Sequence, residues 1–203
     1  MKIILHLCCD AGSDSYPYQL DPEYKVIKIG MDIGVENYSC PSRVHGIIAN
    51  PVCTEFSIAQ GFDKVNNDPD LSMVKHCQRI IDECKPEWWI IENPATGTMK
   101  DYLGKPDLIY QPWEYGSPWT KKTALWGKFN KPIKKFSHWG QVEKNEDLYI
   151  RPGRKKPGFV YLHKSAIELI PEFHVFKKYI KSDNCFRSLC SQNFARAFKE
   201  CNK

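Results

Sequence analysis

Cys53 sits in the stretch Asn50-Pro51-Val52-Cys53-Thr54-Glu55-Phe56-Ser57, directly after the apolar run 44–49. A loop at the end of a buried strand can expose a thiol and tune its ionisation. A free thiol of pKa ~8.5 is largely protonated at neutral pH, so a nucleophilic role needs stabilisation from the loop or a nearby helix N-terminus. A second apolar run, 88–91, ends at Glu92-Asn93-Pro94. If the two runs are neighbouring strands, a thiolate and a carboxyl converge on one pocket. Asp10-Ala11-Gly12-Ser13 follows the opening run 2–9, and the glycine lets the backbone approach a ligand closely. Asp32 lies 20 residues after Gly12 and beyond the run 24–29, where an acid can take a ribose hydroxyl pair. The loop has one glycine where a dinucleotide fingerprint has three, which favours a nucleoside-type cofactor without a pyrophosphate. The blander alternatives are a strand-to-helix turn without a ligand at Asp10 to Ser13 and a turn acid at Glu92.

Four short apolar runs, 2–9, 24–29, 44–49 and 88–91, each deliver a polar cluster at their carboxyl end. That is where an open α/β sheet places its ligands. Between the third and fourth runs, Leu71, Val74, Cys77 or Gln78, and Ile81 recur at helical spacing, with Asp68 or Asp70 available as a cap, so 68–84 reads as a crossover helix. Residues 191–202 read as a short amphipathic helix with Phe194, Ala195, Ala197 and Phe198 on its apolar side. The segment from about 111 to 157 shifts to aromatics, Lys, Pro and Gly and reads as loop-rich and surface-facing. The expectation is one domain over 1–203.

At 203 residues with 42% apolar and 26% charged, the composition is that of an ordinary globular domain. No apolar run reaches the ~18 to 20 residues of a bilayer span, and the stretch 3–7 is shorter than a signal-peptide core, so neither membrane insertion nor secretion is expected. Twenty-nine basic against 24 acidic residues give a net charge of +5, which suits a polyanionic partner without demanding one. Nine cysteines in a non-secreted chain read as free thiols, metal ligands or a catalytic thiol rather than a disulfide framework. Neither Cys77/Cys84 nor Cys185/Cys190 has zinc-knuckle spacing, so no metal is expected.

The order of these clusters resembles the cytosine-C5 DNA methyltransferases, in particular short phage-type members without a separate target-recognition domain. The features in common are Asp10-Ala11-Gly12-Ser13, Asp32, Pro51-Val52-Cys53 with Phe56-Ser57, and Glu92-Asn93-Pro94. Arg187-Ser188 and the stretch from Asn193 to Phe198 are similar to the family's closing segment, which folds back onto the cofactor site. The resemblance implies a Rossmann-like methyltransferase fold, a mostly parallel sheet flanked by helices, using S-adenosylmethionine. It implies that Cys53 adds to C6 of a cytosine while Glu92 hydrogen-bonds or protonates N3, that C5 then takes the methyl group, and that Asn93 belongs to the same catalytic set. The base must be flipped out of a duplex or presented in a single strand. The cofactor-binding residues so implied are Asp10, Ala11, Gly12, Ser13, Asp32, Asn50, Pro51 and Asn193. The substrate-binding residues expected are Ser57, Lys122, Thr123, Trp126, Arg151 and Arg154, the last two at phosphates. A cytoplasmic location, in a host cell if phage-encoded, goes with it.

This chain departs from the family at the paired-arginine strand of larger members, which has no clear match, and at two single positions. Val52 replaces the usual proline before the cysteine, and Gly30 stands where many members carry an acid, leaving the ribose to Asp32 or Glu36. These departures keep a second reading open, an inactive relative that binds nucleic acid or a host protein, as in defence against restriction. A third keeps the fold and thiol chemistry but transfers another group to C5, or acts on RNA or free nucleotide.

Overall fold

A computed structural model describes residues 1–41, 43–53, 56 and 69–203. Its six strands are β1 (Lys2–Leu7), β2 (Tyr24–Ile29), β3 (Val44–Ala49), β4 (Trp88–Pro94), β5 (Leu108–Tyr110) and β6 (Thr123–Lys128), in the order β2-β1-β3-β4-β6-β5. β1 pairs in parallel with β2 and β3, and β3 with β4, whereas β6 runs antiparallel to β4. This is the mostly parallel Rossmann-like α/β sheet anticipated. The chain leaves β1 for one side of the sheet at β2 and returns to the other side at β3, so strand order reverses at β1. Ligands of such sheets bind beyond the carboxyl ends at that reversal.

The chain divides into two compact units. Unit 1 comprises residues 1–9, 18–109 and 122–130, and unit 2 comprises 10–17, 110–121 and 131–203. In unit 1, every residue of β3 is buried, as expected of a strand covered on both faces. Gly46 makes room on it: a Cβ there would lie 2.2 Å from the Trp88 indole. Crossover helix α2 (Ser72–Cys84) buries Val74, Cys77, Ile80 and Ile81. Its core with the sheet includes Leu5, Leu7, Ile29, Ile47 and Ile91. The Asp70 carboxylate starts it by accepting from the Ser72 amide (2.8 Å) and hydroxyl (2.9 Å), and Lys85 ends it in the left-handed conformation, its N–H donated to Ile81 O. The alternative cap, Asp68, lies outside the described residues.

The expectation of free thiols, metal ligands or a catalytic thiol rather than a disulfide framework is corrected at one pair. Cys40, after β2, is disulfide-bonded to Cys84 at the end of α2, with Cα atoms 5.5 Å apart. Spacing alone could not show it, because the two meet only once α2 packs back onto the sheet.

Unit 2 has an aromatic core formed by Trp119, Phe159, Phe173, Phe176 and Phe186 with Leu148, Leu162, Ile167, Ile170 and Leu189. Short 3-10 turns at Phe159–Tyr161, Lys164–Leu169 and Pro171–Tyr179 wrap this core. The closing helix (Gln192–Cys201) is where the periodicity put it, with Ser191 as its cap accepting from the Phe194 amide. Phe194 stacks on Tyr110, ring centroids 3.6 Å apart. The surface-facing loop expected over 111–157 is corrected in part. Residues 123–128 form buried strand β6, and Trp119 and Trp126 are core residues at 2% and 4% exposure. The apolar stretch Ala124-Leu125-Trp126, flanked by lysines and Gly127, was too short to signal a strand without its partner β4.

Candidate functional site in unit 1

Three strand ends meet in unit 1. β1 carries His6, the residue after β3 is Asn50, and β4 carries Glu92. Their side chains form a hydrogen-bonded row: Asn50 Nδ2 donates to Glu92 Oε2 at 2.9 Å, and Asn50 Oδ1 lies 2.7 Å from His6 Nε2. The backbone fixes the same corner, since Asn50 N–H donates to Leu7 O and Cys9 N–H to Ile29 O.

The Cys53 loop is tied to the end of β4. Asn93, 1% exposed, donates its Nδ2 to Pro51 O at 3.0 Å. Asn93 Oδ1 is buried with no hydrogen-bond partner among the described residues. Beyond Cys53, the Phe56 amide donates back to Cys53 O, and Phe56 O accepts from the Thr98 amide just after β4. Gly97 permits that approach, because a Cβ there would fall 2.6 Å from Phe56 O. Phe56 is buried among Val74, Met99, Ala124 and Trp126. The strand end Glu92-Asn93-Pro94 and the turn after it therefore hold the Cys53 loop on both sides, with Glu92 bonded to the residue three before the thiol. Cys53 itself is half-buried, and Val52 is exposed.

Asp32 is exposed beyond the carboxyl end of β2, in a turn closed by Gly34 N–H donating to Gly30 O. A Cβ at Gly30 would lie 3.0 Å from both Asp32 Oδ1 and Cys9 O, so the glycine keeps space open beside the carboxylate. Glu36, in the same exposed stretch, folds back towards Gly34, where a Cβ would meet its carboxylate. Lys122 is exposed and Thr123 is 1% exposed opposite Pro94. Trp126 packs in the core and donates its indole N–H to Gly104 O at 2.8 Å, so its described role is packing. Ser57 lies outside the described residues.

The remaining expected residues belong to unit 2. Gly12 has φ +80° and sits in a loop bonded to the closing segment. Ser188 Oγ donates to Asp10 Oδ2, Cys190 N–H to Ser13 Oγ, and Gln192 Nε2 to Ser13 O. Ala11 and Ser13 are buried, and Asn193 Nδ2 donates to Ser117 Oγ. Arg151 and Arg154 are exposed, the Arg151 guanidinium lying 4.8 Å from the Tyr161 ring. Lys156 lies against both Trp113 (5.0 Å) and Trp139 (5.3 Å).

Sequence reasoning missed His6. Within the apolar run 2–9 it carried no motif, and only the pairing of β1 with β3 brings it to Asn50. The one hint was a polar residue in a strand otherwise built for burial.

Among solved structures, the chain is similar to a protein named as a DNA modification methyltransferase encoded within an E. coli prophage, at 15% identity and TM-score 0.48, over 76% of this chain and 56% of that one. It is similar to the methyltransferase EhMeth of Entamoeba histolytica at 15% identity and TM-score 0.42, over 70% and 58%. A third is the Dnmt2 methyltransferase of S. pombe, at 14% identity and TM-score 0.46, over 83% and 66%. The chain thus spans less than two thirds of the length of each. No family model and no curated protein matches it.

Proposed function

We propose that the protein is a DNA cytosine-C5 methyltransferase that works through a covalent adduct between Cys53 and C6 of the base. The observation that carries this reading is the double tie between the two motifs, Asn50 to Glu92 at 2.9 Å and Asn93 to Pro51 at 3.0 Å. It sets a cysteine loop and a carboxyl side by side beyond the strand ends, as an addition to C6 assisted at N3 requires.

Asp32, with two carboxylate oxygens beside the space that Gly30 leaves, suits a vicinal ribose diol, and Asn50 and Pro51 are the other unit 1 residues assigned to the cofactor. S-adenosylmethionine would supply an electrophilic methyl group to C5. The Cys53 thiolate adds to C6, and a hydrogen bond or proton from Glu92 at N3 relieves the charge that addition pushes into the ring. The Asn93 bond to Pro51 O holds the nucleophile loop in place. Loss of the C5 proton and expulsion of the thiolate then restore the enzyme. Asp10, Ala11, Gly12, Ser13 and Asn193 of unit 2 are further proposed cofactor contacts, checked by cofactor titration of Asp10→Ala and Asn193→Ala. Arg151, Arg154 and Lys122 are the proposed phosphate contacts.

The test is nucleoside mass spectrometry of mixed-sequence DNA incubated with the protein and S-adenosylmethionine, beside Cys53→Ser. The expected product is deoxycytidine carrying one added methyl, absent with the variant. Unmodified DNA despite measurable cofactor binding overturns the DNA-cytosine assignment, and absence of cofactor binding favours an inactive binding protein.

A further inference from the structure

The row His6–Asn50–Glu92 has a direction. An amide Nδ2 can only donate and Oδ1 can only accept. With Asn50 Nδ2 turned to the Glu92 carboxyl at 2.9 Å, Oδ1 faces His6 Nε2 at 2.7 Å, so Nε2 carries a hydrogen and donates it. The opposite amide orientation would set Oδ1 against a carboxylate oxygen, two acceptors in contact unless Glu92 held a proton between them. His6 is 1% exposed on β1, held in register by β2 and β3 on either side. It is thus a rigid donor at the strand reversal, whereas Asn50 stands at the start of a loop.

We infer that His6 is a positioning residue for Glu92, acting through Asn50. By donating to Oδ1, it holds the Asn50 amide with Nδ2 on Oε2. An oxygen that accepts an amide N–H serves as the carbonyl oxygen of a neutral carboxylic acid, so the proton Glu92 brings to the base is carried on Oε1. His6 thereby selects which carboxyl oxygen works and fixes its orientation, and takes no proton itself. Groups that orient a metal ligand from behind are worth roughly 10- to 100-fold in activity, and an effect of that order is expected of His6. The inference rests on the role proposed for Glu92, but its first test does not.

That test is nitrogen-15 NMR of the protein labelled at histidine, with His6→Gln identifying the resonance. The expected result is a proton on Nε2. A bare Nε2 with the proton on Nδ1 overturns the inference whether or not the protein transfers methyl groups. The second test compares His6→Leu with His6→Gln, whose side-chain NH2 can replace the Nε2 donor. In a protein active as wild type, His6→Leu is expected to lose about 10- to 100-fold in kcat, and His6→Gln to recover most of it. Equal losses in the two variants, or a loss matched by the fraction unfolded in circular dichroism, overturn it. A wild-type protein without activity would count against the proposed function, leaving the NMR result to decide the role of His6.

Discussion

Glu172 takes a carboxyl into unit 2, where Oε1 accepts from the Gln192 amide at 3.3 Å and the Ser117 hydroxyl at 3.5 Å. Burial raises its pKa above the ordinary carboxylate value, and the Gln192 bond, Arg196 and Ser117 offset this only in part. A raised folded-state pKa means that the folded chain binds more protons than the unfolded chain just above the ordinary value. Stability therefore falls as pH rises through that window and stays lower above it. Glu172→Gln keeps an acceptor oxygen without the charge, so it is expected to melt above wild type at pH 7, the gap closing as pH falls towards about 4.5; melting temperatures across that range check it. At Asn93 the expected sign is opposite. Asn93→Ala leaves Pro51 O without its donor in a buried corner, a cost of about 1–3 kcal/mol in urea unfolding. If the proposed function holds, it also lowers methyl transfer, because the Cys53 loop loses one of its ties.

Two elements carry their own tests. Gly46 and Trp88 face each other across β3 and β4, and a Cβ 2.2 Å from the indole cannot be accommodated without moving the ring or the strand. Gly46→Ala is expected to cost about 1–3 kcal/mol, read from urea unfolding. The link between α2 and the loop after β2 is covalent at Cys40–Cys84, leaving seven of the nine cysteines outside the disulfide. Alkylation of the denatured, unreduced chain should therefore add seven groups by intact mass, and nine after reduction; nine in both would remove the disulfide. Cys8 and Cys77 sulfurs are 3.6 Å apart, and the Cys8 contact and burial hold the Cys77 thiol far above its usual pKa, so Cys77 is expected to be the slowest to label in the native protein.

For the whole molecule, the net charge of +5 conceals a division. Unit 2 carries 17 Lys and Arg against 10 Asp and Glu, and unit 1 carries 12 against 14. The basic excess thus belongs entirely to unit 2, and residues 131–156 hold eight of its cations against three acids. Under the proposed function, affinity for DNA is expected to fall steeply with ionic strength. Arg151→Ala with Arg154→Ala should reduce the slope of log affinity against log salt by ~2 on duplex DNA, while leaving S-adenosylmethionine binding unchanged. An unchanged slope would remove these arginines from the DNA contact.

Much of unit 1 was legible in the sequence. The runs 24–29 and 44–49 coincide with β2 and β3, helix 68–84 contains α2, and Cys53 and Glu92 stand where strands end, because burial on both faces and helical periodicity are local properties of the chain. The closing helix was legible for the same reason. Strand β6 was not, since its few apolar residues gain their meaning only from pairing with β4. The disulfide and the row from His6 to Glu92 were equally hidden. Each joins residues more than 40 positions apart, and only the strand order and the packing of α2 bring them within bonding distance. Sequence alone determined which residues stand at the strand ends. Tertiary structure decided which of them touch, because a hydrogen bond depends on distance and direction that no spacing along the chain encodes.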